Sequence, residues 1–104
     1  MSKISEMAAA AFIQGKNWSR DNTEVVLVKT GRLTDVTTVR LYLHGSCIAE
    51  RIPNLGVWIT TAGYDTKVTR SRLNALPGVK LCVKEKQLYL NGELWDGKPV
   101  RVTH

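Results

Sequence analysis

The chain has 104 residues, 43% of them apolar, and 15 Lys and Arg against 9 Asp and Glu leave a formal charge of +6. That length suits a single domain over residues 1–104 with one modest core. The longest apolar run, Met7 to Ile13, falls far below the roughly 20 residues that cross a bilayer and has no cleavage-site pattern behind it, so no membrane span and no secretion are expected. Cys47 and Cys82, in a chain large enough to fold without staples, are expected as free thiols in a reducing cytosol.

Ile4, Met7, Ala8, Ala11 and Phe12 form the stripe of an amphipathic helix, with Ser2 as N-cap and Gly15 as stop. Gly15 to Asn22 reads as polar and turn-like. From Thr23 the period changes to two, predicting strands over 24–30, 36–43, 47–52 and 57–62, joined by Gly31 to Asp35, by His44-Gly45-Ser46 and by Pro53 to Gly56. Connections this short make an antiparallel meander, because parallel crossovers need about a dozen residues or more. In the second strand Val39, Leu41 and Leu43 share one face, and Arg40, Tyr42 and His44 the other. Asp65 or Thr66 caps a second helix from Lys67 to Leu76, ended by Pro77-Gly78. Lys67, Arg70 and Asn74 share its exposed face, opposite Thr69, Leu73 and Leu76. Arg72 projects beside Leu76, as either a snorkelling flank residue or a partly buried, paired arginine. Val79, Leu81 and Val83 then alternate with Lys80, Cys82 and Lys84, a turn at Glu85-Lys86 leads to Gln87–Leu90, and Asn91-Gly92 signals a hairpin back to Leu94-Trp95. Asp96-Gly97 turns the chain towards Val100 and Val102. The expected fold class is α+β: an N-terminal amphipathic helix on an antiparallel β meander, a second short helix and a C-terminal β hairpin.

Chemistry is sparse. No glycine spacing cradles a phosphate, and no pair of carboxylates stands out for acid–base work. His44-Gly45-Ser46-Cys47 puts a base type beside a nucleophile type, but a turn between strands accounts for it and no nearby acid orients His44. His44 and Cys47 with Cys82 and His104 could supply four zinc ligands, yet only the first pair has local ligand spacing. A binding protein without metal or cofactor is therefore expected rather than an enzyme. The basic excess is concentrated between Lys67 and Lys86, where Lys67, Arg70, Arg72, Lys80, Lys84 and Lys86 face only Glu85. Such a field attracts phosphate backbones or acidic proteins, while a solvated face that keeps a protein soluble carries the same charge. Arg40, Tyr42 and His44, with Lys80 and Lys84 on another strand and Trp58 and Tyr89 beside them, would make an aromatic and basic sheet face able to stack bases. If the first helix covers that face, those aromatics are core instead. The start of the second helix, Thr66 to Arg72, offers a further anion contact through its free amides.

The segment Leu41-Tyr42-Leu43-His44-Gly45, then Ile48-Ala49, then Thr61 to Thr66 leading into Thr69-Arg70-Ser71-Arg72-Leu73-Asn74-Ala75-Leu76, resembles small proteins encoded in many tailed-bacteriophage genomes. Those proteins show a Leu-x-Gly-x-x-Ile-Ala strand turn and a Gly-Trp-x-Thr-x-Thr-Thr-Arg-x-Arg-Leu-Asn helix start, from which this chain departs at Tyr64 and Val68. The resemblance extends to the Ala-rich opening, Gly15 and Asn22-Thr23, and so covers most of the chain. It implies a phage origin and a place in the cytoplasm of the infected bacterial host, in a family of unknown function. The expectation drawn from residues and resemblance together is a non-enzymatic phage accessory protein that binds nucleic acid through Lys67, Arg70, Arg72, Asn74, Lys80, Lys84, Arg40 and Tyr42. The alternative is an inhibitor of host machinery or defence, anti-CRISPR-like, that binds an acidic host partner. A short sheet with an open edge also leaves room for a homodimer.

Overall fold

Both helices begin at a hydroxyl. In the computed structural model, which describes residues 2–30 and 36–102, Ser2 accepts a hydrogen bond from the Ser5 amide at 3.1 Å and opens α1 (Lys3–Gln14). Thr66 likewise accepts from the Thr69 amide at 3.1 Å and opens α2 (Lys67–Asn74). Each cap satisfies an amide that a helix start leaves without a partner. α1 ends at Gly15, where a φ of 71° lets the amide reach back to the Ala11 carbonyl. α2 ends two residues before the expected Leu76, because Pro77 disfavours helical backbone at the residue before it and the chain tightens into a Leu76-to-Leu73 turn.

Six strands form one antiparallel sheet, in the order β1 (Trp18–Arg20), β2 (Thr23–Thr30), β3 (Val36–Leu43), β4 (Ser46–Ile52), β5 (Gly56–Ile59) and β9 (Val100–Val102). A second sheet holds β6 (Leu81–Lys84), β7 (Gln87–Leu90) and β8 (Glu93–Leu94). The α+β class is as the periodicity predicts, and so is the order of the helices and of the strands from β2 to β7. The C-terminal hairpin gains a third strand, β6, and the chain then leaves it to add β9 beside β5. Gly97 makes that return: its carbonyl accepts from the Thr60 hydroxyl at 2.7 Å and the Thr61 amide at 3.0 Å. These bonds also end β5 at Ile59 rather than at residue 62. Gly97 has a φ of 84°, and a Cβ there would collide with the Thr61 hydroxyl. β1 lies where a polar turn was expected. Trp18 pairs opposite Val25 and packs on the core, and Asp21, at a φ of 54°, turns the chain straight back. The expected turn over Gly31 to Asp35 lies outside the described residues.

Register decides what each face carries. Thr23, Val25 and Leu27 pair with Leu43, Leu41 and Val39, and the row continues through Ala49 and Ile59 to Val100. α1 lies over β1, β2 and β3 on this face, and α2 sits beside α1 and against β4 and β6. Alanines 8, 9 and 11 let α1 approach closely, with Phe12 fully enclosed beneath it. A bulge between β3 and β4 skips Ile48, so Ile48 and Ala49 are both buried although they are neighbours in a strand. Leu73 of α2 and Leu76 in the turn after it, with Leu81 and Leu88 of the second sheet, complete the core.

Arg72 lies inside this packing, 6% exposed. Its Nε donates to the Thr23 hydroxyl at 2.8 Å, Nη1 to the Ser5 hydroxyl at 2.7 Å and the Ser2 hydroxyl at 3.2 Å, and Nη2 to the Asn22 side-chain oxygen at 3.3 Å. Arg72 thus joins α2 to the N-cap of α1 and to the β1–β2 turn: of the two roles the sequence pattern left open, it takes the buried, paired one, with neutral oxygens as the partners. Among the described residues no carboxylate comes within ion-pair reach. Burial lowers its pKa, with Asp21 partly opposing at longer range, and the guanidinium stays charged. A buried cation is held here by four neutral oxygens, so truncating it leaves polar groups stranded in the core.

Arg72→Ala is expected to lower unfolding stability by about 3 kcal/mol, and Arg72→Lys by roughly half of that because an ammonium cannot fork to four acceptors. Urea unfolding monitored by circular dichroism measures both, and equal stability of all three proteins would contradict the assignment.

Candidate functional site

With Arg72 inside, the remaining cations of α2 point outward beside the free edge of β6. Asn74 holds the two elements together: its side-chain oxygen accepts from the Leu81 amide at 2.6 Å and its nitrogen donates to the Leu81 carbonyl at 3.1 Å. Asn74 was expected as an exposed contact residue, but both ends of its amide are used in clamping a strand edge. A shallow groove of about 630 Å³ remains above the clamp, lined by Lys67, Arg70 and Ser71 on one side and by Lys80 and Leu81 on the other. Lys67 and Lys80 are exposed. Arg70 is half-buried and its Nη1 meets Asp65 at 2.6 Å, so it carries the least free charge of the three. Lys84 ends β6, about 13 Å beyond Lys80 at the rise of an extended strand.

Arg40 and Tyr42 are elsewhere. They lie on the face of the six-stranded sheet opposite the helices, in rows that run Val26, Arg40, Glu50, Trp58, Arg101 and Glu24, Tyr42, Cys47. The helices therefore leave this face uncovered, but it carries no net charge, because Arg40 and Arg101 are offset by Glu24 and Glu50. Arg40 Nε touches Glu50 at 2.7 Å, and hydrogen bonding to Tyr42 and then to Glu50 raises its pKa. Arg101 stacks over Trp58 with its guanidinium carbon 5.9 Å from the ring centre. Tyr89 and Lys84 belong to the other sheet, and Lys80 immediately precedes its first strand. The single aromatic and basic face expected from strand alternation is thus two separate faces, and only the smaller sheet's is basic. Two sheets and one cannot be told apart from alternation alone, because pairing partners leave no mark on a strand's own period.

The turn at His44-Gly45 takes φ values of 51° and 81°, the geometry of a two-residue hairpin loop. His44 Nε2 lies 3.3 Å from the Asn22 side-chain nitrogen, while Cys47 sits on the outer sheet face and its thiol donates to the Ala49 carbonyl at 3.4 Å. The two side chains take different partners. Burial, then the Glu50 charge, raises the Cys47 pKa and keeps it a thiol. His104, the fourth candidate zinc ligand, lies outside the described residues, and among those described no three His, Cys, Asp or Glu side chains cluster for a metal. A cleft of about 380 Å³ between this turn and α2, lined by His44, Ser46, Tyr64 and Val68, was not anticipated. Tyr64 is 61% exposed and Val68 38%; isolated in sequence, neither announces a shared surface.

Two helices over one face of an antiparallel sheet, with a small sheet clamped to the second helix and a groove between them lined by Lys67, Arg70 and Lys80, define an α+β protein. The chain belongs to the Kyanoviridae Gp96 protein family, whose model matches residues 1–100. This is a bacteriophage family of unknown function, and its members are made in infected cells. No curated protein and no solved structure matches the chain.

The two free thiols should react unequally. Cys82 is exposed and Cys47 half-buried with a raised pKa, so a maleimide at pH 7.5 is expected to modify Cys82 at least about tenfold faster. Peptide mass mapping reads the ratio, which should collapse to near unity in urea; equal rates in the native protein would contradict the burial of Cys47.

Proposed function

We propose that this protein is a non-enzymatic phage accessory factor that binds nucleic acid in the cytoplasm of the infected bacterium. One observation carries the reading: Lys67 and Lys80, both exposed and without an ion-pair partner among the described residues, flank one groove, Lys84 stands further along, and Arg70 between them contributes less because Asp65 already bonds it. A charged stripe on rigid elements, with the helix and strand edge fixed by Asn74, suits a phosphate backbone. Lysines paired with scattered acids would not, and the outer face of the larger sheet, with Arg40 neutralised by Glu50, is left out of the site for that reason. Arg72 and Asn74 support the surface from beneath and do not touch the ligand.

The second reading, an inhibitor of host machinery or defence that docks on an acidic host protein, draws on the exposed Tyr64 and Val68 beside the same helix. Homodimer formation through the free edges at β1 or β9 remains compatible with either.

Three or four phosphate contacts should give a plot of log affinity against log salt with a slope of roughly −2 to −4. Replacing Lys67 and Lys80 together by Ala is expected to flatten it by about 2. Fluorescence anisotropy with a labelled oligonucleotide at several salt concentrations measures this. Binding that ignores salt, or no binding, would overturn the proposal, and salt-sensitive binding to a purified acidic protein instead would support the second reading.

A further inference from the structure

The face of the smaller sheet that turns away from the core has no structural work to do. Cys82, Tyr89 and Leu94 are paired neighbours on β6, β7 and β8 and so form one row across it. The opposite face carries Leu81 and Leu88, which are buried. Leu94 is 65% exposed, the most exposed large apolar side chain among the described residues, Cys82 is exposed, and Tyr89 is half-exposed with its hydroxyl 3.3 Å from Gln87. Lys84 stands on this same face two residues from Cys82 along β6, and Lys80, just before the strand begins and tied to Asn91 through its amide and carbonyl, continues the same alternation two residues to the other side. The row is therefore an aromatic ring on the central strand, an aliphatic side chain beside it, and a lysine diagonal to the ring on either side. The sheet contributes no carboxylate to this face: Glu93 pairs with Leu90 and shares the opposite side.

From this arrangement we infer that the Tyr89 face receives unpaired bases of a single-stranded nucleic acid, one base stacking on the Tyr89 ring against Leu94 while Lys80 and Lys84 hold the flanking phosphates. The inference rests on the nucleic-acid reading and adds the class of ligand to it. Every base has a π-face, so a lone aromatic between cations accepts a strand without regard to sequence, whereas stacked bases inside a duplex cannot reach it. Lys80 is shared with the groove at α2, which makes the path continuous: phosphates follow Lys67 and Lys80, bases turn onto Tyr89, and the backbone leaves past Lys84. The charge-neutral face of the larger sheet, despite Trp58 and Tyr42, offers no comparable pull on phosphate.

The test compares labelled oligo(dT), oligo(rU) and a DNA duplex of equal length on the full chain. The expected result is at least about tenfold tighter binding of a single strand than of the duplex, with the two single-stranded arms showing whether DNA or RNA is preferred. Tyr89→Leu should remove that preference with an unchanged salt slope, and Tyr89→Phe should keep it. A second readout needs no variant: oligo(dT) or oligo(rU) should slow maleimide modification of Cys82, the paired neighbour of Tyr89, at least fivefold while the duplex does not, with Cys47 as internal reference. Equal affinity for strand and duplex, or Cys82 left unprotected by a bound strand, overturns this inference and leaves the nucleic-acid reading standing. No binding of any of the three probes overturns both.

Discussion

The structure depends on one buried cation. Arg72 enters the core from α2 and is met by the hydroxyls of Ser2, Ser5 and Thr23 and by Asn22, so one side chain ties the start of α1, the β1–β2 turn and the second helix into a unit. A carboxylate in the same place would gain Coulomb energy but would need to be desolvated as well. Four neutral acceptors avoid that second cost and leave the positive charge uncancelled. The interior charge adds to a field that the surface lysines of the same segment already set up.

What is attached to that unit follows from it. Once α2 is fixed, Leu73 and Leu76 must face the core, and Lys67 and Arg70 must face solvent. Asn74 then reaches the edge of β6 and satisfies both backbone groups of Leu81, which would otherwise be an open strand edge. The small sheet therefore stands beside α2 with its apolar side inward and its lysine-bearing side out. On the outer face of the larger sheet, by contrast, Arg40 and Arg101 are balanced by Glu50 and Glu24. The same sequence segment builds the brace, the clamp and the basic groove.

Much of the fold was legible in the sequence. Ser2 and Gly15 bracket α1, Thr66 caps α2, and the alternation of Val39, Leu41 and Leu43 names the buried face of β3. What could not be read was pairing between distant segments. β1 is a three-residue strand with no period to detect, recognisable only by Trp18 opposite Val25. The bulge at Ile48 leaves two adjacent apolar residues that alternation would assign to opposite faces. The division into two sheets is invisible from β7 alone. For the site, the helical wheel placed Lys67 at the surface, put Arg70 on the same exposed face although it is half-buried against Asp65, and left Arg72 open between two roles, because a charged residue beside an apolar stripe has the same wheel position whether it snorkels or is swallowed. Asn74 was misplaced for a related reason: its exposed position on an isolated helix is filled by a strand edge that comes later in the chain. The Thr-Arg-x-Arg-Leu-Asn run, which looks like a contact motif, is largely architecture. Thr69 and Leu73 are buried, Arg70 bonds Asp65, Arg72 braces and Asn74 clamps.

The central claim, that Arg72 is an interior brace beneath a surface formed by its neighbours, is tested most directly by the exchange of its Nε proton with water in a nitrogen-resolved NMR spectrum. A proton bonded to Thr23 at 2.8 Å and shut off from solvent should exchange far more slowly than those of the exposed arginines and should hold its shift when an oligonucleotide is titrated in. Exchange as fast as at Arg101, together with a shift that follows the titration, would place Arg72 at the surface and contradict the account.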